Sequence, residues 1–197
     1  MKRRQILAVA GLTAALSVVS LSPALTATDN YLIISGQSLG QTHLGTNGLS
    51  YLKKLPTPAA SDAAMQQTRR VWVAKQGQRT DTLYIHTIAN AAAQVQPIDG
   101  VTIDQIEITS PSFHTPNGIS TGRTKAQVLR QFPNARPLEG STTQYYDQGI
   151  AFEFAGSAAD SPCISIAVAS DDKVGIKGRE QVNSFLQSYC LAGEGKC

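Results

Sequence analysis

Two stretches of the chain share an outline: residues 45–56 read GTNGLSYLKKLP and residues 122–133 read GRTKAQVLRQFP. Laid together without a gap, both open on glycine (Gly45, Gly122) and then match Leu52 with Leu129, Lys53 with Arg130, Leu55 with Phe132 and Pro56 with Pro133. A turn, an apolar and basic stretch and a closing proline read as a short helix with a fixed stop. A unit used twice constrains the fold strongly, because whatever packs around one copy must also suit the other. It predicts two related units, at about 31–109 and about 110–190, in one domain spanning 28–197. The shared residues specify bends and packing and perform no reaction.

Each unit reads in the order strand, loop, helix, proline, hairpin, strand. In the first, 31–35 (YLIIS) is a short strand ended by Gly36, and Asn47 caps a helix to about Leu55 that Pro56 and Pro58 stop. Residues 61–68 (SDAAMQQT) add a second helical turn. Residues 71–73 (VWV) are a strand with its turn at Gln76-Gly77, and 82–88 (TLYIHTI) are another. Residues 90–100 form a polar connector. In 101–109 (VTIDQIEIT) the apolar phase slips between Ile103 and Ile106, which predicts a bulge or break near Asp104-Gln105.

The second unit follows a loop at 110–121. Thr124 with Gln127 forms a capping-box pattern, so a helix is expected over 125–132, with Ala126, Leu129 and Phe132 on one side and Val128 beside them. Residues 144–147, a turn at Gln148-Gly149 and the alternating Ile150, Phe152 and Phe154 make a hairpin. Ile164, Ile166 and Val168 alternate in a further strand, and 179–189 read as a final helix. The expected fold class is α+β: one antiparallel sheet with helices packed on one face, built from the two helix–hairpin units.

The first 27 residues read as an export signal. Lys2, Arg3 and Arg4 form a charged head, 6–27 carry no charge, and Leu25-Thr26-Ala27 offers a small residue at the cut. An uncut anchor helix is the rival reading, since the run is long enough to span a bilayer. Loss of the three basic residues leaves 14 Lys+Arg against 14 Asp+Glu. A neutral mature chain has no electrostatic footprint for nucleic acid or for an anionic membrane surface. The expected location is periplasmic or extracellular.

Three cysteines remain, Cys163, Cys190 and Cys197. An exported chain with three is expected to form one disulfide, Cys190 with either Cys163 or Cys197, and to keep one thiol. No C-x-x-C occurs and no histidine is near in sequence, so a redox or catalytic thiol is not expected.

The blocks GQSLGQTHLG at 36–45 and LKKLPTP at 52–58, with FHTPNGISTGRT and YYDQGIAFEF in the second half, resemble a motif of small exported bacterial proteins. By this outline the chain is similar to the SmpA/OmlA outer-membrane assembly lipoproteins and to the β-lactamase-inhibitor-protein type. The resemblance implies a helix-plus-sheet repeat that works by binding proteins. Two departures limit it: there is no lipobox cysteine, and no loop matches one that binds a β-lactamase.

Reactive patterns are few. Gly36-Gln37-Ser38-Leu39-Gly40 fits G-x-S-x-G, a nucleophile elbow, but the chain lacks the βαβα alternation that would place an acid and a histidine beside Ser38. The same glycines serve a turn in the repeat. His43, His86 and His114 share no metal-ligand spacing, so no metal is expected and each is read as hydrogen-bonded or solvent-facing. Gly-rich phosphate cradles are absent, and no cofactor is implied. Trp72, Tyr145 and Tyr146 fall on hairpin strands, where an exposed aromatic ring anchors a partner and a buried one fills the core. The sequence therefore reads as a non-catalytic exported protein that binds another envelope or extracellular protein. The alternative is a small secreted hydrolase using Ser38.

Overall fold

Strand pairing dominates the described residues. The computed structural model describes residues 29–45, 49–64, 67–89 and 101–170. The export signal, the Asn47 cap, the 90–100 connector, the final helix, Cys190 and Cys197 lie outside these residues. In chain order the elements are β1 (Ile33–Ile34), β2 (Ser38–Leu39), β3 (Thr42–His43), α1 (Leu49–Leu52), β4 (Ala60–Ala64), β5 (Gln67–Gln76), β6 (Arg79–Ala89) and β7 (Val101–Ile108). Then come α2 (Lys125–Gln131), β8 (Arg136–Pro137), β9 (Gln144–Asp147), β10 (Ile150–Phe154) and β11 (Cys163–Ala169). The small sheet runs β1-β2-β3. The large one runs β4-β5-β6-β7-β11-β10-β9-β8, and every neighbouring pair is antiparallel.

This corrects the expected α+β class: the described chain is mostly β, two antiparallel sheets with two short helices and no helical layer. The helix expected to run to Leu55 is four residues, Leu49–Leu52, ending well short of Pro56. Of the stretch 61–68, rich in helix formers, residues 61–64 are instead the end of β4 and 67–68 the start of β5, with Ser61 opposite Arg70 and Asp62 opposite Arg69. Pairing with β5 satisfies backbone groups that a two-turn helix would leave largely unbonded, and that outweighs a propensity of a few tenths of a kcal/mol per residue.

Where local chemistry is strong the sequence is followed closely. Helix α2 has both bonds of its capping box: the Gln127 amide donates to Thr124 Oγ1 (3.3 Å) and the Thr124 amide donates to Gln127 Oε1 (3.0 Å). Its buried side is Lys125 and Val128 rather than Ala126, which is exposed. The β9–β10 hairpin closes at Asp147 and Ile150 through Gln148 and Gly149, both at positive φ (26° and 81°), the twist a two-residue hairpin loop requires. A side chain at 149 would also come within 2.6 Å of the Gly36 backbone. The β5–β6 loop is Gly77-Gln78, one residue later than expected. In β7 the register passes from Gln105 to Ile103, so Asp104 is the bulged residue, and Ile103 and Ile106 are both buried.

The two faces of the large sheet differ. One row in register crosses six strands on the core face: Trp72, Leu83, Ile108, Ile166, Phe152 and Tyr145. Ile33 and Leu39 from the small sheet, Leu49 and Leu52 from α1, and Val128 from α2 pack over it. The next row, on the other face, is Val71, Tyr84, Glu107, Ala167, Ala151 and Tyr146.

Candidate binding groove at Trp72

The core face is covered unevenly. Over the second half α2 presents Val128 and leads into Phe132, whose ring lies 4.7 Å from that of Phe152. Over the first half α1 ends after one turn, and the chain continues through Leu55 and Pro56 beside Trp72. The indole Nε1 of Trp72 donates to the Pro56 carbonyl at 2.7 Å, which fixes the ring against that collar. Beyond it a groove of about 440 Å³ stays open, walled by Trp72, Leu83, Leu55, Tyr31 and Phe113. Tyr31 and Phe113 meet edge to face at 5.2 Å and form the far wall, with Tyr31 51% exposed. At one end Asp81, buried, accepts from Arg79 Nε (2.7 Å) and Nη2 (3.0 Å), so the charge there is matched.

The other two aromatic candidates do not join this site. Tyr145 lies on the same face as Trp72 but five strand spacings away, roughly 24 Å at about 4.8 Å each. It is half-buried, edge to face with Phe154 at 5.9 Å, and Lys125 Nζ sits 4.4 Å from its ring centre. That ammonium also donates to the Thr142 and Ser157 carbonyls (3.2 and 3.1 Å), so Tyr145 belongs to a built piece of core. Tyr146 is on the opposite face against Ala151, Ala167 and Ala169, beside a second, more polar cavity of about 570 Å³ that Arg136 and Asn134 also line.

Ser38 stands in β2, between the turn at Gly36 and the turn at Gly40. The surroundings are strand, turn, strand, whereas an elbow needs strand, turn, helix. Its cross-strand neighbour is His43, which is exposed, and among the described residues the Ser38 hydroxyl hydrogen-bonds to no histidine or carboxylate. The other histidines have carboxylates of their own. His86 Nδ1 is 2.6 Å from Asp104 Oδ1, with Gln67 Oε1 at 3.3 Å from Nε2, and His114 Nε2 is 3.2 Å from Asp29 Oδ2. Among the described residues no three His, Cys, Asp or Glu gather as a metal site. Cys163 is a free thiol in the core, its Sγ 3.3 Å from the Ser165 carbonyl, and burial pushes its pKa up to about 12. A thiol held neutral in this way is a poor nucleophile.

Sequence reading singled out Trp72 but missed Tyr31, Phe113 and Leu55–Pro56 as its surroundings. Pro56 reads as a helix stop, and nothing in the sequence says that its carbonyl will hold an indole 16 residues away. The His86–Asp104 pair did leave a trace, since the apolar phase slip in β7 marks the bulge at Asp104.

No family model matches the chain, and no curated protein matches it. Among solved structures it is similar to the uncharacterised protein yfeY of Escherichia coli, at 14% identity, over 69% of this chain and 98% of that one, with a TM-score of 0.37.

Proposed function

We propose that the protein is exported and non-catalytic and acts by binding another protein of the bacterial envelope or surrounding medium through the groove at Trp72. Export rests on the basic head and uncharged run of residues 2–27, and binding on the groove. The observation that carries the reading is a fixed indole in an open, largely apolar recess. A large aromatic ring already held in place gives up little freedom when a partner covers it, which is what makes such residues interface anchors. The likeness to protein-binding exported repeats is part of the same reading.

Trp72 is the protein's only tryptophan, so its fluorescence reports directly on the groove. A photo-crosslinking residue at Val73, on the groove wall and 38% exposed, should join the full chain to one discrete protein in producing cells. The adduct should vanish in Trp72→Ala. An adduct that survives that change removes the groove from the reading. Hydrolysis of simple acetyl or nitrophenyl esters by the wild type but not by Ser38→Ala would establish the secreted hydrolase in its place.

A further inference from the structure

Beside the groove the large sheet has an unfinished edge. β4 pairs with β5 from Gln67 to Val71, and the Ala59 amide still donates to the Val71 carbonyl at 2.7 Å. From there, among the described residues, β5 runs on with β6 on one side only, through Val73 to Gln76. In an antiparallel strand alternate residues send both N–H and C=O to the same side. Since the Val71 carbonyl faces β4, Val73 and Lys75 direct their amides and carbonyls to that side too, past the point where β4 ends. Among the described residues no hydrogen bond reaches these groups, and residues 73–76 are all exposed. Trp72, Ala74 and Gln76 line the groove along the same stretch.

We propose that the edge of β5 at residues 73–76 takes an extended segment of the partner protein as an added strand, in line with β4, with an apolar side chain of that segment seated on Trp72. This deepens the binding reading above and rests on it. Backbone donors and acceptors at strand spacing call for another backbone, and a recess beside them receives every second side chain of that backbone. On the opposite face the segment runs beside Lys75, where an acidic residue is favoured.

The test uses the folded full chain and a random decapeptide display library as the probe. Lys75→Pro removes an edge amide while leaving the β5–β6 ladder intact, because that amide points away from β6. Lys75→Gln removes only the charge, and thermal melts confirm that both variants fold. Recovered peptides should carry apolar residues at every second position. Their affinity, read by calorimetry, should fall about tenfold or more in Lys75→Pro and in Trp72→Ala and by no more than about fivefold in Lys75→Gln, which loses one surface charge pair. If Lys75→Pro binds like the wild type while Trp72→Ala does not, strand addition fails and the groove reading stands. If neither variant matters, or no peptide is recovered, both fail. A chain that dimerises, and becomes monomeric in Lys75→Pro, would overturn the proposal in favour of a second copy at this edge.

Discussion

The halves of the large sheet meet at β7 and β11 and mirror one another outward, four strands each, yet one is closed where the other is open. The match can be followed residue by residue. Gly45 bonds to Ile103 near the start of β7, and Gly122 bonds to Cys163 at the start of β11; each strand then bulges out one residue, Asp104 or Ile164. From that alignment Ile106 corresponds to Ile166, Ile85 to Phe152, Arg70 to Tyr145 and Trp72 to Asp147. The second half turns back at Asp147 and Ile150. The first continues past Trp72 and Leu83 for four more pairs, from Val73 opposite Thr82 to Gln76 opposite Arg79. The second half packs Tyr145 on Phe154, whereas Arg70 Nη1 in the first donates to Thr87 Oγ1 at 3.2 Å. One half of the sheet closes into packing and the other extends into an arm with a groove at its root.

The contrast is broken most directly by comparing losses of stability. Phe152 is fully buried beneath Phe132, so Phe152→Ala should cost about 3–5 kcal/mol in urea unfolding. Trp72 is only partly buried and stands beside open space, so Trp72→Ala should cost less than Phe152→Ala, about 2 kcal/mol. Equal losses would mean that the groove is shut in solution, and the difference between the halves would disappear.

A smaller effect should separate the cations. Lys125→Ala leaves the carbonyls of Thr142 and Ser157 without their donor and strips the cover from Tyr145, a loss of about 1–3 kcal/mol. Arg70, which corresponds to Tyr145, donates to Thr87 Oγ1 and is less buried than Lys125, so Arg70→Ala should cost less than Lys125→Ala in the same unfolding measurement. The reverse order would show that the first half relies on its polar pair as heavily as the second relies on its packed one.

What sequence could foresee follows the same division. The second half is legible because its signals are local and agree: Thr124 and Gln127 cap a helix, Gln148-Gly149 turns, and Ile150, Phe152 and Phe154 alternate. In the first half the decisive facts are tertiary. Residues 61–64 have helical preferences, but β5 recruits them as a strand. Residues 73–76 and 79–82 show no apolar alternation, because that part of the hairpin stands largely clear of the core and only Asp81 in it is buried. The groove itself exists because α1 stops after four residues while β5 runs for ten, and no motif records a difference in length between elements far apart in sequence.

The subtlest change would make the first half copy the second. Replacing residues 73–82 by Gln-Gly should let Trp72 and Leu83 close a two-residue turn as Asp147 and Ile150 do. Most of what is removed is exposed, but Thr82 exchanges hydrogen bonds with Thr109, so unfolding should shift by about 1–2 kcal/mol, and the loss of the Arg79–Asp81 pair adds little because Arg79 is 45% exposed. The same change deletes the free edge and one wall of the groove, so peptides selected on the wild type should no longer bind. A shortened chain that folds and still binds them would place the binding surface elsewhere. One that does not fold would show that the arm belongs to the framework, and that the two halves differ in how they are held together rather than in what each is free to do.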